Sequence, residues 1–80
     1  MNLYQTLKEI NAIQPLTTKT QIKIICQDNQ IIEGNYRGYT SALDNEPEID
    51  QIDLWVPDRG QLIGILSTEI LSLERIEKTT

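Results

Sequence analysis

The chain contains no histidine and no phenylalanine, only one cysteine, and three prolines and four glycines among its eighty residues. Without histidine it lacks the commonest general base, metal ligand and physiological pH switch, so any catalysis would rest on carboxylates, hydroxyls, lysine or one thiol. Cys26, standing alone, cannot close an internal disulfide. No stretch has the composition of a signal peptide or the length of a membrane span, which makes a reducing cytoplasm the expected setting and leaves no membrane partner. Bases are scarce too: seven against twelve acids give a formal charge of −5. Such a field repels phosphate backbones instead of gathering them, and disfavours nonspecific nucleic-acid binding.

Eighty residues make one domain, which buries only about 60–65% of the surface its unfolded chain exposes. Little core is left over for a deep cavity, and stability must come from a regular architecture. The first segment, "NLYQTLKEINAIQP", places Leu3, Leu7 and Ile10 at helical spacing, with Ile13 a further candidate. The spacing predicts a helix over about residues 2–14, capped by Asn2 with Gln5 completing an imperfect capping box and stopped by Pro15. Three turns of helix are marginal alone, so this stripe must pack on something else.

After "TTKT" the period changes from helical to alternating. "QIKIICQ" puts Ile22, Ile24 and Cys26 on one face of a strand. "DNQ" supplies a turn, and residues 31–39 return as a second strand with Ile32, Gly34, Tyr36 and Gly38 on one side. Glycines at 34 and 38 mark bending, a bulge, or close approach by another backbone. "QIDLWV" alternates again, with Ile52, Leu54 and Val56 facing one way and Asp53 and Trp55 the other. "PDRG" is turn chemistry leading to a fourth strand, "QLIGIL", and "STE" separates it from a fifth, "ILSLERI"; Thr79 and Thr80 are expected to fray.

A helix followed by five short strands points to a mainly β chain. Closing the sheet would hide its edges, so the pattern predicts a single domain over 1–80 built as a strongly bent, five-stranded antiparallel SH3-like barrel over about residues 20–77. An open α+β sheet with the helix across one face is the competing arrangement.

The order and spacing of these elements resemble the Sm-like (LSm/Hfq-type) family. The likeness rests on the N-terminal helix, on "QIKIICQDNQIIEGNYRGY" as a first hairpin with glycine in its second strand, and on "STEILSLERI" as the final turn and strand. It implies a helix capping a bent five-stranded barrel, rings formed by pairing strand four of one subunit with strand five of the next, and RNA binding. At the positions where the family carries its RNA contacts, Thr40 stands in place of an aspartate after Tyr39, and Ser67 and Thr68 stand in place of a basic pair.

Candidate binding residues fall in two groups. Asp44, Glu46, Glu48 and Asp50 alternate in "DNEPEIDQID", which carries five carboxylates and no base in ten residues. An extended backbone would aim those four to one side, toward a divalent metal, a basic protein surface or solvent. Pro47 and the following strand do not fit a helix-flanked calcium loop, and a solvated connection that keeps strand edges apart is the reading we favour. The second group is aromatic. Tyr36 shares a face with Ile32 and reads as core, whereas Tyr39 and Trp55 alternate outward as surface candidates, with Arg37 and Arg59 the arginines nearest them. Cys26, on an apolar face without a histidine, reads as a structural thiol, and Ser67 and Thr68 lack a base partner. The sequence therefore predicts a noncatalytic interaction module without a cofactor. A protein partner or a second copy of the chain is expected, with Sm-like RNA binding and metal binding by the acidic loop as the alternatives.

Overall fold

The computed structural model describes residues 1–76; the expected fraying of Thr79 and Thr80, and the last residue of the predicted barrel range, lie outside them. One helix, α1 (Leu3–Ile13), precedes five strands: β1 (Gln21–Cys26), β2 (Ile31–Thr40), β3 (Gln51–Val56), β4 (Gln61–Leu66) and β5 (Ile70–Arg75). Local chemistry sets the ends of α1. Asn2 Oδ1 accepts from the Gln5 amide at 3.0 Å, and the Gln14 amide closes the last turn on the Ile10 carbonyl at 3.2 Å before Pro15. The Gln5 side chain turns forward to Glu9 Oε1 at 3.1 Å, so the reciprocal half of the capping box is not formed. Leu3 and Leu7 are buried and Ile10 packs beside them, but Ile13 is 86% exposed and leaves the stripe.

All neighbouring strands pair antiparallel in one sheet with the order β4-β3-β2-β1-β5. Strand β2 makes this sheet bend. Its first half, Ile31 to Asn35, pairs with β1, and its second half, Asn35 to Thr40, pairs with β3. A bulge between Tyr36 and Gly38 separates the β3 registers. At the changeover a side chain on Gly34 would place its Cβ 2.5 Å from the Trp55 carbonyl oxygen, which is the close backbone approach that glycine permits. The inward faces of the strands share one core with the helix stripe. Ile22, Ile24, Ile52, Leu54 and Ile70 are fully buried with Leu3, and Leu7, Cys26, Ile32, Val56, Ile65 and Leu73 belong to the same cluster.

The mainly β class, the capping helix and five antiparallel strands match the sequence pattern. Closure does not: among the described residues no ladder joins β4 to β5, and the sheet ends on those two edges. A single 3-10 turn, Ser67–Glu69, carries the chain between them, and main-chain bonds from Ser67 N to Asp50 O and from Gln27 N to Glu69 O, both 2.8 Å, pin it in place. Hydrogen bonds from this turn thus go to a loop and to the end of β1, leaving the edges themselves unpaired. A register shift opposite Ile25 and Cys26 breaks the alternation of β5, so that Leu71 is 53% exposed while Ile70 and Leu73 turn inward.

Candidate functional site

The acidic segment is not an extended ribbon. Ala42–Asp44 form a 3-10 turn after Ser41, whose hydroxyl lies 3.1 Å from Asp44 Oδ2. Asn45 then folds the loop back on itself, donating from Nδ2 to the Ile49 carbonyl at 2.8 Å and to Gln51 Oε1 at 2.9 Å. Because the backbone coils, the alternation of Asp44, Glu46, Glu48 and Asp50 does not gather their carboxylates. Among the described residues no three acidic, cysteine or histidine side chains converge as a metal ion would require. Glu46 and Glu48 are exposed. Asp50 instead belongs to the fold: its Oδ2 accepts from the Tyr39 hydroxyl at 3.0 Å.

That bond corrects the outward placement of Tyr39. A bulge inserts one extra residue into a strand and so exchanges the faces beyond it. Tyr36 pairs with Leu54 and Tyr39 with Ile52, both core positions, so both tyrosines face inward and Gly38, opposite Asp53, faces out. Tyr39 also meets Tyr4 of α1, ring centroids 6.0 Å apart at 57°. Burial first, then the hydrogen bond and charge of Asp50, hold the Tyr39 phenol above its ordinary pKa; burial and Asp53 do the same to Tyr36.

Trp55 lies where alternation put it, on the outer face and 36% exposed. Its neighbour across the β3–β4 ladder is Leu62, 59% exposed, so the two form an apolar step beside the β4 edge. The arginines do not flank it. Arg37 sits at the bulge and its Nη1 donates to the carbonyls of Thr18, at 2.5 Å, and Tyr36, at 3.2 Å. It ties β2 to the linker after α1. Arg75 serves the same linker from β5, donating to the Gln14 and Pro15 carbonyls at 2.8 and 3.2 Å and to the buried Thr20 hydroxyl at 3.2 Å.

Arg59 lies elsewhere, in the Pro57–Gly60 turn between β3 and β4, on the rim of a cleft of about 440 Å³. Cys26, Ile32, Ile63 and Ile65 supply apolar lining, and Asp28 and Glu69 join Arg59 as its charged groups. Antiparallel alternation sets the β1–β2 and β3–β4 turns on the same end of the sheet, and pairing of Cys26 with Ile70 brings Glu69 to that end as well. Asp28 and Glu69 were not singled out from the sequence. The signal was present in the turn spacing, but using it required knowing which strand lies next to β1. The Cys26 thiol on this lining is raised by burial, then by Asp28 and Glu69, and lowered by Arg59. A thiol so placed stays protonated near neutrality and is a poor nucleophile.

No family model, curated protein or solved structure matches this chain.

Proposed function

We propose that the chain is a noncatalytic interaction module, a small barrel of the Sm-like or SH3-like kind whose one open seam serves self-association. The observation that carries this reading is the pair of unpaired edges. Strands β4 and β5 end the sheet on opposite sides, and each presents an exposed leucine, Leu62 at 59% and Leu71 at 53%. An unpaired strand is a template for another strand, and a head-to-tail contact between two different edges repeats until it closes into a ring. The pairing of strand four with strand five in Sm-like proteins is the same use of the same two edges. Trp55, one strand in from β4, adds the kind of aromatic that anchors protein contacts.

Light scattering on the purified chain tests this, alone and with short uridine- or adenine-rich RNA. The expected result is a mass several times that of one chain, reduced to a single chain by Leu62→Lys together with Leu71→Lys while the thermal midpoint of the monomer is kept. A wild-type chain that stays monomeric over all accessible concentrations overturns the reading. RNA binding is the second outcome under test. It would show as a mass increase lost steeply with added salt, since phosphate contacts release counterions.

A further inference from the structure

The fold's three arginines divide two to one. Arg37 and Arg75 both direct their guanidinium groups to main-chain oxygens of the linker after α1, Arg37 also to the Tyr36 carbonyl in β2. The Arg59 main-chain amide closes its turn on the Val56 carbonyl at 3.1 Å, but its guanidinium donates no hydrogen bond among the described residues and stands at the rim of the cleft beside β4. The two acids facing the same space are also incompletely used. Asp28 accepts the Gln30 amide through Oδ1 at 3.0 Å, and Glu69 accepts the Leu66 amide through Oε1 at 3.4 Å. A carboxylate has about four acceptor positions, so each keeps capacity for a further donor. Beneath them lie the side chains of Ile32, Ile63 and Ile65. The volume of about 440 Å³ falls within the roughly 300–1,000 Å³ typical of small-molecule sites.

We propose that this cleft binds a free α-amino acid with an aliphatic side chain. Its ammonium would lie against Asp28 and Glu69, its carboxylate on the Arg59 guanidinium, and its side chain over the isoleucines. Charge complementarity selects this occupant. Asp28, Arg59 and Glu69 are all exposed at the cleft's border: a simple amine would not engage Arg59, a simple carboxylate would face two acids, and a purely apolar ligand would use none of the three charges. Cys26 reports on the arrangement, since its thiol feels Asp28, Glu69 and Arg59 together and those charges therefore surround one small region. The site shares Ile63 and Ile65 with β4, the edge strand proposed to pair, but it uses their side chains and requires no second copy of the chain.

Titration of the isotope-labelled full chain with L-leucine, isopentylamine and 4-methylvalerate, followed by amide NMR, tests the assignment. Leucine is expected to shift the amides of Cys26, Ile65 and Thr68 and to bind at least tenfold more tightly than either half-ligand. Arg59→Gln should weaken leucine at least tenfold and leave the amine unchanged; Asp28→Asn with Glu69→Gln should weaken leucine and amine together. The amide replacements retain acceptors for the Gln30 and Leu66 amides, and thermal midpoints confirm that each variant folds. Equal response to all three ligands, no response to leucine at millimolar concentration, or indifference of leucine to Arg59→Gln in the folded variant would each overturn the proposal. Sedimentation of the same samples reads assembly separately, so a failed ligand titration and a failed strand pairing are told apart.

Discussion

Replacement of Gly34 by alanine tests the bend in β2 directly. A Cβ there would sit 2.5 Å from the Trp55 carbonyl oxygen, 3.1 Å from its carbon and 3.2 Å from Leu54 Cβ. Two of the three contacts are main chain in the middle of a paired strand, which cannot rotate aside as a flexible side chain can. Inserting one methyl group into a packed core costs about 1–3 kcal/mol, and a main-chain obstacle puts this case in the upper half, about 2–3 kcal/mol. An eighty-residue domain has roughly 4–12 kcal/mol in all, so the loss is a large share. With a urea slope of about 1 kcal/mol/M, the unfolding midpoint should fall by about 2–3 M. The thermal midpoint should drop by about 8–24 °C.

Two other glycines provide the scale. Gly60 has φ +60° with nothing within 4 Å of its Cβ position. Alanine there meets only the left-handed backbone cost of about 1–2 kcal/mol, partly offset by about 0.4–1 kcal/mol of lost unfolded-state freedom. At Gly64 the Cβ meets the Gln51 amide nitrogen at 2.6 Å, the far end of a side chain that can swing away from its 2.8 Å bond to Asp53. Urea denaturation by circular dichroism should therefore rank Gly34→Ala as the most damaging of the three. If Gly34→Ala unfolds at the wild-type midpoint, or Gly60→Ala costs more, β2 does not cross Trp55 as described and the bent sheet is wrong.

Tyr39→Phe removes the hydroxyl that donates to Asp50 and should destabilise by about 0.5–1.5 kcal/mol in urea unfolding, with the aromatic packing kept. Alkaline stability follows from three groups whose proton loss the fold resists: Cys26, ordinarily at 9.0, and Tyr36 and Tyr39, ordinarily at 10.0, are all raised, each by burial first. The unfolded chain releases these protons at lower pH than the folded one. The stability they contribute is thus complete below those ordinary values and declines as pH rises through them toward the raised folded ones. Urea midpoints measured upward from pH 8 should fall with pH, and Cys26→Ser with Tyr36→Phe should flatten the fall; a midpoint that rises over that range contradicts the burial of these groups.

Local rules made much of the fold legible. Asn2 and Pro15 bound the helix because capping and proline chemistry act within a few residues, and alternation found every strand because the pleat has period two. What failed was what alternation alone cannot carry past an irregularity. The bulge before Gly38 turned Tyr39 from a surface candidate into a half-buried residue packed against the core and bonded to Asp50, and the register shift opposite Cys26 breaks the alternation of β5 at Leu71. A bulge is one residue of excess on one strand, visible only when the partner strand is known. Closure failed for a related reason. Whether β4 meets β5 depends on the accumulated twist of five strands, which no single segment encodes.

The candidate site was harder to read because its residues are turn residues with local duties of their own. Asp28 and Glu69 each hold a nearby amide, which accounts for their places in "DNQ" and "STE" without any ligand. The dense acidic segment drew attention first, but Asn45 folds it and Asp50 leaves it for Tyr39, so its charge is dispersed and not gathered. Arginine use separates the two regions. Where the chain needs to hold its linker it supplies Arg37 and Arg75 and engages both on linker carbonyls, whereas Arg59 is carried on a four-residue turn that closes through main-chain bonds, with Gly60 N reaching the Val56 carbonyl at 2.9 Å. The turn closes without the guanidinium. A charge that no side-chain bond of the fold engages, at the border of a cleft lined by two acids and by isoleucine, is a stronger sign of a ligand than a run of acids along the sequence, because the first fixes a geometry and the second only a composition.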